Sequence, residues 1–221
     1  MNKTYELIIF DWDGTLVDSQ AQIVDCMRKA FVKVGLIPPE PAAVRHIIGL
    51  SLEAAACRLA PESDRSKIET LVDTYREFAF SNSDHSTRLF EGVKPGLKAL
   101  KKQGYYLAVA TGKGRRSLDA ALDTTELSAV FDITRCADET CSKPDPMMLD
   151  EILTDLNSNA DKAIMVGDTS YDIEMANNIG MDSIAVTYGM HEAFHLRPFK
   201  PKYLIDHFSK IPPLLGENTY V

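Results

Sequence analysis

A doubly wound α/β sheet carrying an inserted helical unit is predicted by three observations. Leu7 to Phe10 is a continuous apolar run closed by Asp-Trp-Asp-Gly, the pattern of a strand buried on both faces rather than an alternating surface strand. Similar short runs recur at Tyr106 to Ala110, Ala163 to Val166 and Ser183 to Val186, with helical periodicity between them. The stretch from Leu16 to about His85 holds no strand-like run and reads as successive amphipathic helices.

Taken along the chain, the first run becomes a central parallel strand. In the helical unit Ser19 and Gln22 have the spacing of a capping box. Ile23, Met27, Ala30, Phe31 and Val34 follow as an apolar stripe that stops at Gly35, and Ile68, Leu71, Val72, Tyr75 and Phe78 form another. Val93, Leu97 and Leu100 mark a helix before the second strand. Asp145 and Pro146 read as N-cap and first-turn residues of a helix that buries Leu149, Ile152, Leu153 and Leu156. A helix from near Tyr171 is closed by Gly180, and Tyr203 to Ile205 fits a last strand. His191 and His195 read as surface residues. The expected division is an α/β core over residues 1–15 and 86–221, with a helical insertion over 16–85.

Composition narrows the function. A chain of 221 residues with 45% hydrophobic and 25% charged residues has the profile of a globular protein. A net charge of -8 disfavours DNA or RNA as partner, because binding either rests on neutralising phosphates with Lys and Arg. The four cysteines, Cys26, Cys57, Cys136 and Cys141, form no Cys-x-x-Cys pair and read as reduced thiols. The apolar run near the amino terminus is too short for a signal peptide or a membrane span, so a cytoplasmic protein with no membrane partner is expected.

Polar residues with a chemistry in common close three of the strands. Asp11 and Asp13 stand two apart at a strand end, so an extended backbone turns both side chains towards one pocket, and Gly14 lets the chain turn there. Two carboxylates this close raise at least one pKa unless a cation compensates. Thr111-Gly112 offers a hydroxyl and free backbone N–H groups to phosphate oxygens, while Lys113 reads as solvated. Gly167-Asp168 with Asp172 four residues on adds two more carboxylates. Four carboxylates beside a phosphate call for a hard cation with oxygen ligands, Mg²⁺, and Lys143 can supply further positive charge.

These segments resemble the four motifs of the haloacid dehalogenase superfamily of phosphohydrolases: Asp11-Trp12-Asp13-Gly14-Thr15, Thr111-Gly112, Lys143-Pro144 and Gly167-Asp168-Thr169-Ser170-Tyr171-Asp172. The resemblance spans roughly Leu7 to Gly189 and implies a Rossmann-like core with a small α-helical cap, as in phosphoglycolate-phosphatase-like members. Trp12 stands where Phe or Leu is more usual. The resemblance implies Asp11 as nucleophile and Asp13 as general acid and base. It further implies Mg²⁺ held by Asp11, the Asp13 carbonyl and Asp168, with Asp172 in support. Thr111, Gly112 and Lys143 would hold the transferring phosphoryl group. Arg45 and the Gly49-Leu50-Ser51 turn match substrate-contacting positions in the cap, and equally fit a surface cation and a helix N-cap. Arg115 and Arg116 read as exposed helix-start residues.

The expected activity is Mg²⁺-dependent hydrolysis of a small phosphorylated metabolite, with phosphoglycolate the favourite, by a monomer or homodimer. A phosphomutase of the β-phosphoglucomutase type and an inorganic pyrophosphatase would use the same aspartates. A receiver-like phosphoacceptor is the non-enzymatic alternative, disfavoured by the helical insertion and by an acid-base residue two positions past the nucleophile.

Overall fold

The structure is a computed structural model and describes residues 5–81 and 88–216. Six strands, β1 (Leu7–Phe10), β2 (Tyr106–Thr111), β3 (Ile133–Cys136), β4 (Ala163–Gly167), β5 (Asp182–Val186) and β6 (Tyr203–Ile205), form one parallel sheet in the order β3-β2-β1-β4-β5-β6. The chain moves outward from β1 to β2 and β3, then returns to the other side of β1 for β4. That reversal opens a crevice above the carboxyl end of β1, the place where open α/β sheets bind ligands.

Ten α-helices and three single-turn 3-10 helices accompany the sheet in the described residues. The α-helices are α1 (Gln20–Lys33), α2 (Pro41–Ile47), α3 (Leu52–Leu59), α4 (Arg65–Ser81), α5 (Val93–Lys102), α6 (Arg115–Thr125), α7 (Met147–Asp155), α8 (Ser170–Asn177), α9 (Ala193–Leu196) and α10 (Ile211–Gly216). Ile8 and Phe10 enter an apolar cluster with Val93, Leu97 and Leu100 of α5 and Leu118 of α6. Leu7 and Ile9 enter the cluster on the opposite face with Leu149 and Ile152 of α7 and Met175 of α8. Alternate side chains therefore meet different helical layers, which is why the β1 run is apolar throughout. Burying a side chain such as Leu97 or Ile152 completely is worth roughly 1.5–3 kcal/mol.

Helices α1 to α4 enclose their own cluster, built on Met27, Phe31, Val44, Ile68 and Leu71. Leu16 and Val17 do not belong to it. They pack into the sheet-side core, and Val17 bridges to Leu89, so the boundary expected after Thr15 moves towards Gln20. The other expected boundary, at about His85, lies outside the described residues. None of the helices in the described residues is long and apolar enough to cross a membrane, and no disulfide joins the four cysteines.

Four local expectations change. Ser19 is the N-cap of α1, but its hydroxyl is buried without a hydrogen-bond partner, so no capping box with Gln22 forms. Pro146, not Asp145, takes the cap position of α7, and Asp145 Oδ1 instead accepts from the Met147 amide at 3.0 Å. β3 is an edge strand absent from the reading of the sequence, because Ile133-Thr134-Arg135-Cys136 is neither an apolar run nor an alternation. His191 is only 2% exposed, and its burial arises from contacts distant in sequence.

Candidate active site

The carboxyl ends of β1, β2 and β4 converge on the crevice. The Asp11 amide still donates to Val166 of β4 at 2.9 Å, so the extended backbone continues one residue past the strand. Asp11 and Asp13 consequently line the same cavity of about 610 Å³. Trp12 between them is fully buried and meets Phe131 edge-on in the core. Gly14 has φ +90, and a Cβ there would overlap the Asp168 carboxylate, so this turn requires glycine for both its conformation and its closeness to β4.

Asp11 is 1% exposed. Its Oδ1 accepts from Lys143 Nζ at 2.7 Å, and its Oδ2 is buried with no hydrogen-bond partner. Lys143 Nζ also donates to Asp172 Oδ1 at 2.6 Å. Asp172 Oδ2 accepts from the amide and hydroxyl of Thr169, at 3.0 and 2.7 Å, so this residue both ties down the first turn of α8 and holds the lysine. Asp168 is fixed through each oxygen, by the Thr15 hydroxyl at 2.8 Å and the Met190 amide at 2.7 Å.

Carboxylate oxygens of Asp11, Asp168 and Asp172 lie within 4.8 Å of one another, and all three residues are buried. Burial raises the Asp11 carboxyl to about 7, with Lys143 opposing the rise and Asp172 and Asp13 adding to it. Asp168 is also raised, by burial first and then by the Asp11 and Asp172 charges. For Lys143, burial works against the ammonium, and the Asp11 and Asp172 carboxylates more than offset it, so its value rises. One ammonium among three buried carboxylates leaves negative charge uncompensated. Together with the unpartnered Asp11 oxygen and an all-oxygen donor set, this fits a hard divalent cation.

Thr111, Gly112 and Lys113 line the cavity from the end of β2, and Thr111 is 1% exposed. Lys113 is not solvated: its Nζ lies 2.9 and 3.2 Å from the two oxygens of Asp13. Gly49 lines the cavity from the helical side, as expected for a cap position. Ser51 caps α3 by accepting from the Ala54 amide at 3.2 Å, and its own amide donates to Ser142 beside Lys143.

Arg45 does not reach this cavity. Val44 and Ile47 take the inward face of α2, which turns Arg45 into a separate groove. Arg116 does line the cavity, with its guanidinium 4.5 Å from the Phe80 ring. Arg115 is instead held by Glu139, Asp138 and Thr134. The two arginines look alike in sequence, and only the orientation of α6 separates them.

The helical and sheet-side units meet tightly. The His46 carbonyl accepts from Tyr171 Oη at 3.0 Å and lies 3.1 Å from His191 Nε2. The Ser170 amide donates to His191 Nδ1 at 3.1 Å, so the ring proton belongs on Nε2 and points at that carbonyl. His46 stacks on His191 with ring centroids 4.9 Å apart.

Comparison with known proteins agrees with this architecture. The family model for haloacid dehalogenase-like hydrolases matches residues 8–186. The chain is 36% identical over 211 residues to "probable phosphatase IndB" of Dickeya dadantii, covering 93% of this chain and 91% of that one. It is 29% identical to pyrophosphatase PpaX of Bacillus cereus, covering 95% of both chains. A solved structure from Bacteroides fragilis, described as a haloacid dehalogenase-like hydrolase, superposes with a TM-score of 0.88 at 27% identity, covering 94% of this chain and 100% of that one. With the family match running from β1 to the end of β5 and taking in every strand end that builds the cavity, this chain belongs to the haloacid dehalogenase-like hydrolases.

Proposed function

We propose that the chain is a Mg²⁺-dependent phosphatase that transfers the phosphoryl group of a small metabolite to Asp11 and then to water. The observation that carries this reading is the Asp11 carboxylate: one oxygen is held by Lys143, and the other is buried and unpartnered beside the cavity.

An Asp11 oxygen attacks phosphorus as the bond from phosphorus to the leaving oxygen breaks, and Asp13 donates a proton to that oxygen. Water then attacks the phosphorus of the aspartyl phosphate. Asp13 takes a proton from it, which restores the Asp11 carboxylate and releases inorganic phosphate. Lys143 and the Thr111 hydroxyl stabilise charge on the transferring group. Asp11 and Asp168 would hold Mg²⁺ with the Asp13 carbonyl, and the ion when bound supplies charge neutralisation at the phosphoryl oxygens. Asp172 acts by holding Lys143 and the start of α8.

The substrate should carry a second anionic group. Lys113 is taken by Asp13, but Arg116 faces the cavity and no ion pair among the described residues engages it, so it supplies charge beyond what a single phosphoryl group needs. A phosphorylated carboxylic acid such as phosphoglycolate meets that requirement. Pyrophosphate meets it too, and the likeness to a named pyrophosphatase gives it a place as the second reading.

The test is phosphate release from phosphoglycolate, glucose 1-phosphate and pyrophosphate, in Mg²⁺ or EDTA, by the native protein and by Asp11→Asn. Release that needs Mg²⁺ and disappears in the variant supports the mechanism. Arg116→Gln should raise KM about tenfold for substrates with two anionic groups, and less for glucose 1-phosphate. Equal activity in Asp11→Asn would overturn the assignment of the nucleophile.

A further inference from the structure

The helical unit carries a second hollow, a groove of about 770 Å³ between α1, α2 and the last turns of α4. Four cations line it, Arg28, Lys29, Lys33 and Arg45, against one carboxylate, Asp25. Asp25 is taken by Lys29 at 2.7 Å. Among the described residues no ion pair engages Arg28, Lys33 or Arg45, and the Arg28 Nε–H is buried with no hydrogen-bond partner. A buried N–H without an acceptor is costly, and Lys29 and Lys33 repel each other one helical turn apart. An acidic chain has thus gathered uncompensated positive charge in one concave place.

We propose that this groove is a second anion site, which takes a small polyanion with an apolar or planar portion, of the nucleoside diphosphate class. Three cations without carboxylate partners, drawn from two helices, call for more than one anionic group. Val24, Pro38 and Phe78 supply apolar wall beside them, where a planar ring can rest. The volume is of the order of that of ligand pockets, roughly 300–1,000 Å³. The groove is distinct from the catalytic cavity but shares α1 with it: Val24 and Arg28 face the groove, Ile23 and Met27 the cavity.

The experiment is calorimetric titration of the full chain with ADP in EDTA, with adenosine and inorganic phosphate as partial probes. ADP should bind saturably and more tightly than either probe. An Arg28→Gln/Lys33→Gln double variant should weaken ADP binding about tenfold or more, while its hydrolysis of a small phosphate ester stays unchanged. Arg116→Gln, which removes a cation from the catalytic cavity, should leave ADP binding as it was. Lys33 is exposed, so Lys33→Gln alone tests the same point without disturbing the fold and should weaken binding by itself. The proposal is overturned if the native protein shows no saturable ADP binding. It is equally overturned if binding survives both groove variants, or weakens as much in Arg116→Gln.

Discussion

Lys143 Nζ donates to Asp172 Oδ1 at 2.6 Å, and both side chains are fully withdrawn from solvent. Because the same ammonium also holds Asp11 at 2.7 Å, it is the only cation that the described salt bridges place on the cluster of Asp11, Asp168 and Asp172. Replacing Lys143 by Met keeps the volume and leaves those carboxylates unpaired. The expected loss is about 3–5 kcal/mol of stability, read as a lowered urea midpoint in EDTA, together with loss of phosphate release. An unchanged midpoint would show that this cluster is not the buried ion-pair network described here.

The contact of Lys113 with Asp13 reaches both carboxylate oxygens but remains partly open to the cavity. Lys113→Met should therefore alter orientation more than stability. Turnover should fall about tenfold or more, with a thermal midpoint within a few degrees of the native protein. A large drop in midpoint with turnover intact would reverse that assignment.

Gly112 packs so closely on the helical unit that a Cβ would overlap the carbonyl oxygens of Leu50 and Gly49. Gly112→Ala should hold those backbones apart and misplace the substrate, lowering kcat/KM by roughly 100-fold. Steady-state kinetics on a folded variant check this, and near-native kcat/KM would mean that the two units need not approach so closely for catalysis.

His191 gives stability a pH dependence. Burial lowers its pKa from the ordinary 6.5, and the interaction with the His46 backbone opposes that shift. Above 6.5 the imidazole is neutral in both folded and unfolded states and contributes no slope. As pH falls below 6.5 the unfolded chain takes up the proton first, so stability declines, by up to about 1.4 kcal/mol per pH unit for this single group. Denaturant unfolding across that range should show a shallower decline in His191→Gln than in the native protein. Identical slopes would remove His191 as the source.

Much of this protein could be read from the sequence, for physical reasons that are local. The strands β1, β2, β4 and β5 announce themselves because a parallel strand covered by helices on both faces must be apolar along its length. Asp11 and Asp13 are legible as partners because an extended backbone puts residues two apart on one side. Thr111 and Asp168 follow from their position at the mouths of such strands, and Asp172 from its place four residues after Asp168. The edge strand β3 escaped that logic, since Arg135 and Thr134 serve a half-exposed border rather than the core.

Tertiary structure alone decided the contacts between residues far apart in the chain. That Lys113 holds Asp13 depends on the pairing of β1 with β2, which brings their two strand-end loops together. That Arg116 faces the cavity while Arg115 is tied to Glu139, and that Arg45 turns into another groove, depend on how helices rotate about their axes as they pack. The burial of His191 belongs to the same class: its partners Ser170 and His46 are 21 and 145 residues away. Strand-end chemistry is written in local spacing, whereas the direction of a long cationic side chain is set by whichever distant surface packs beside it.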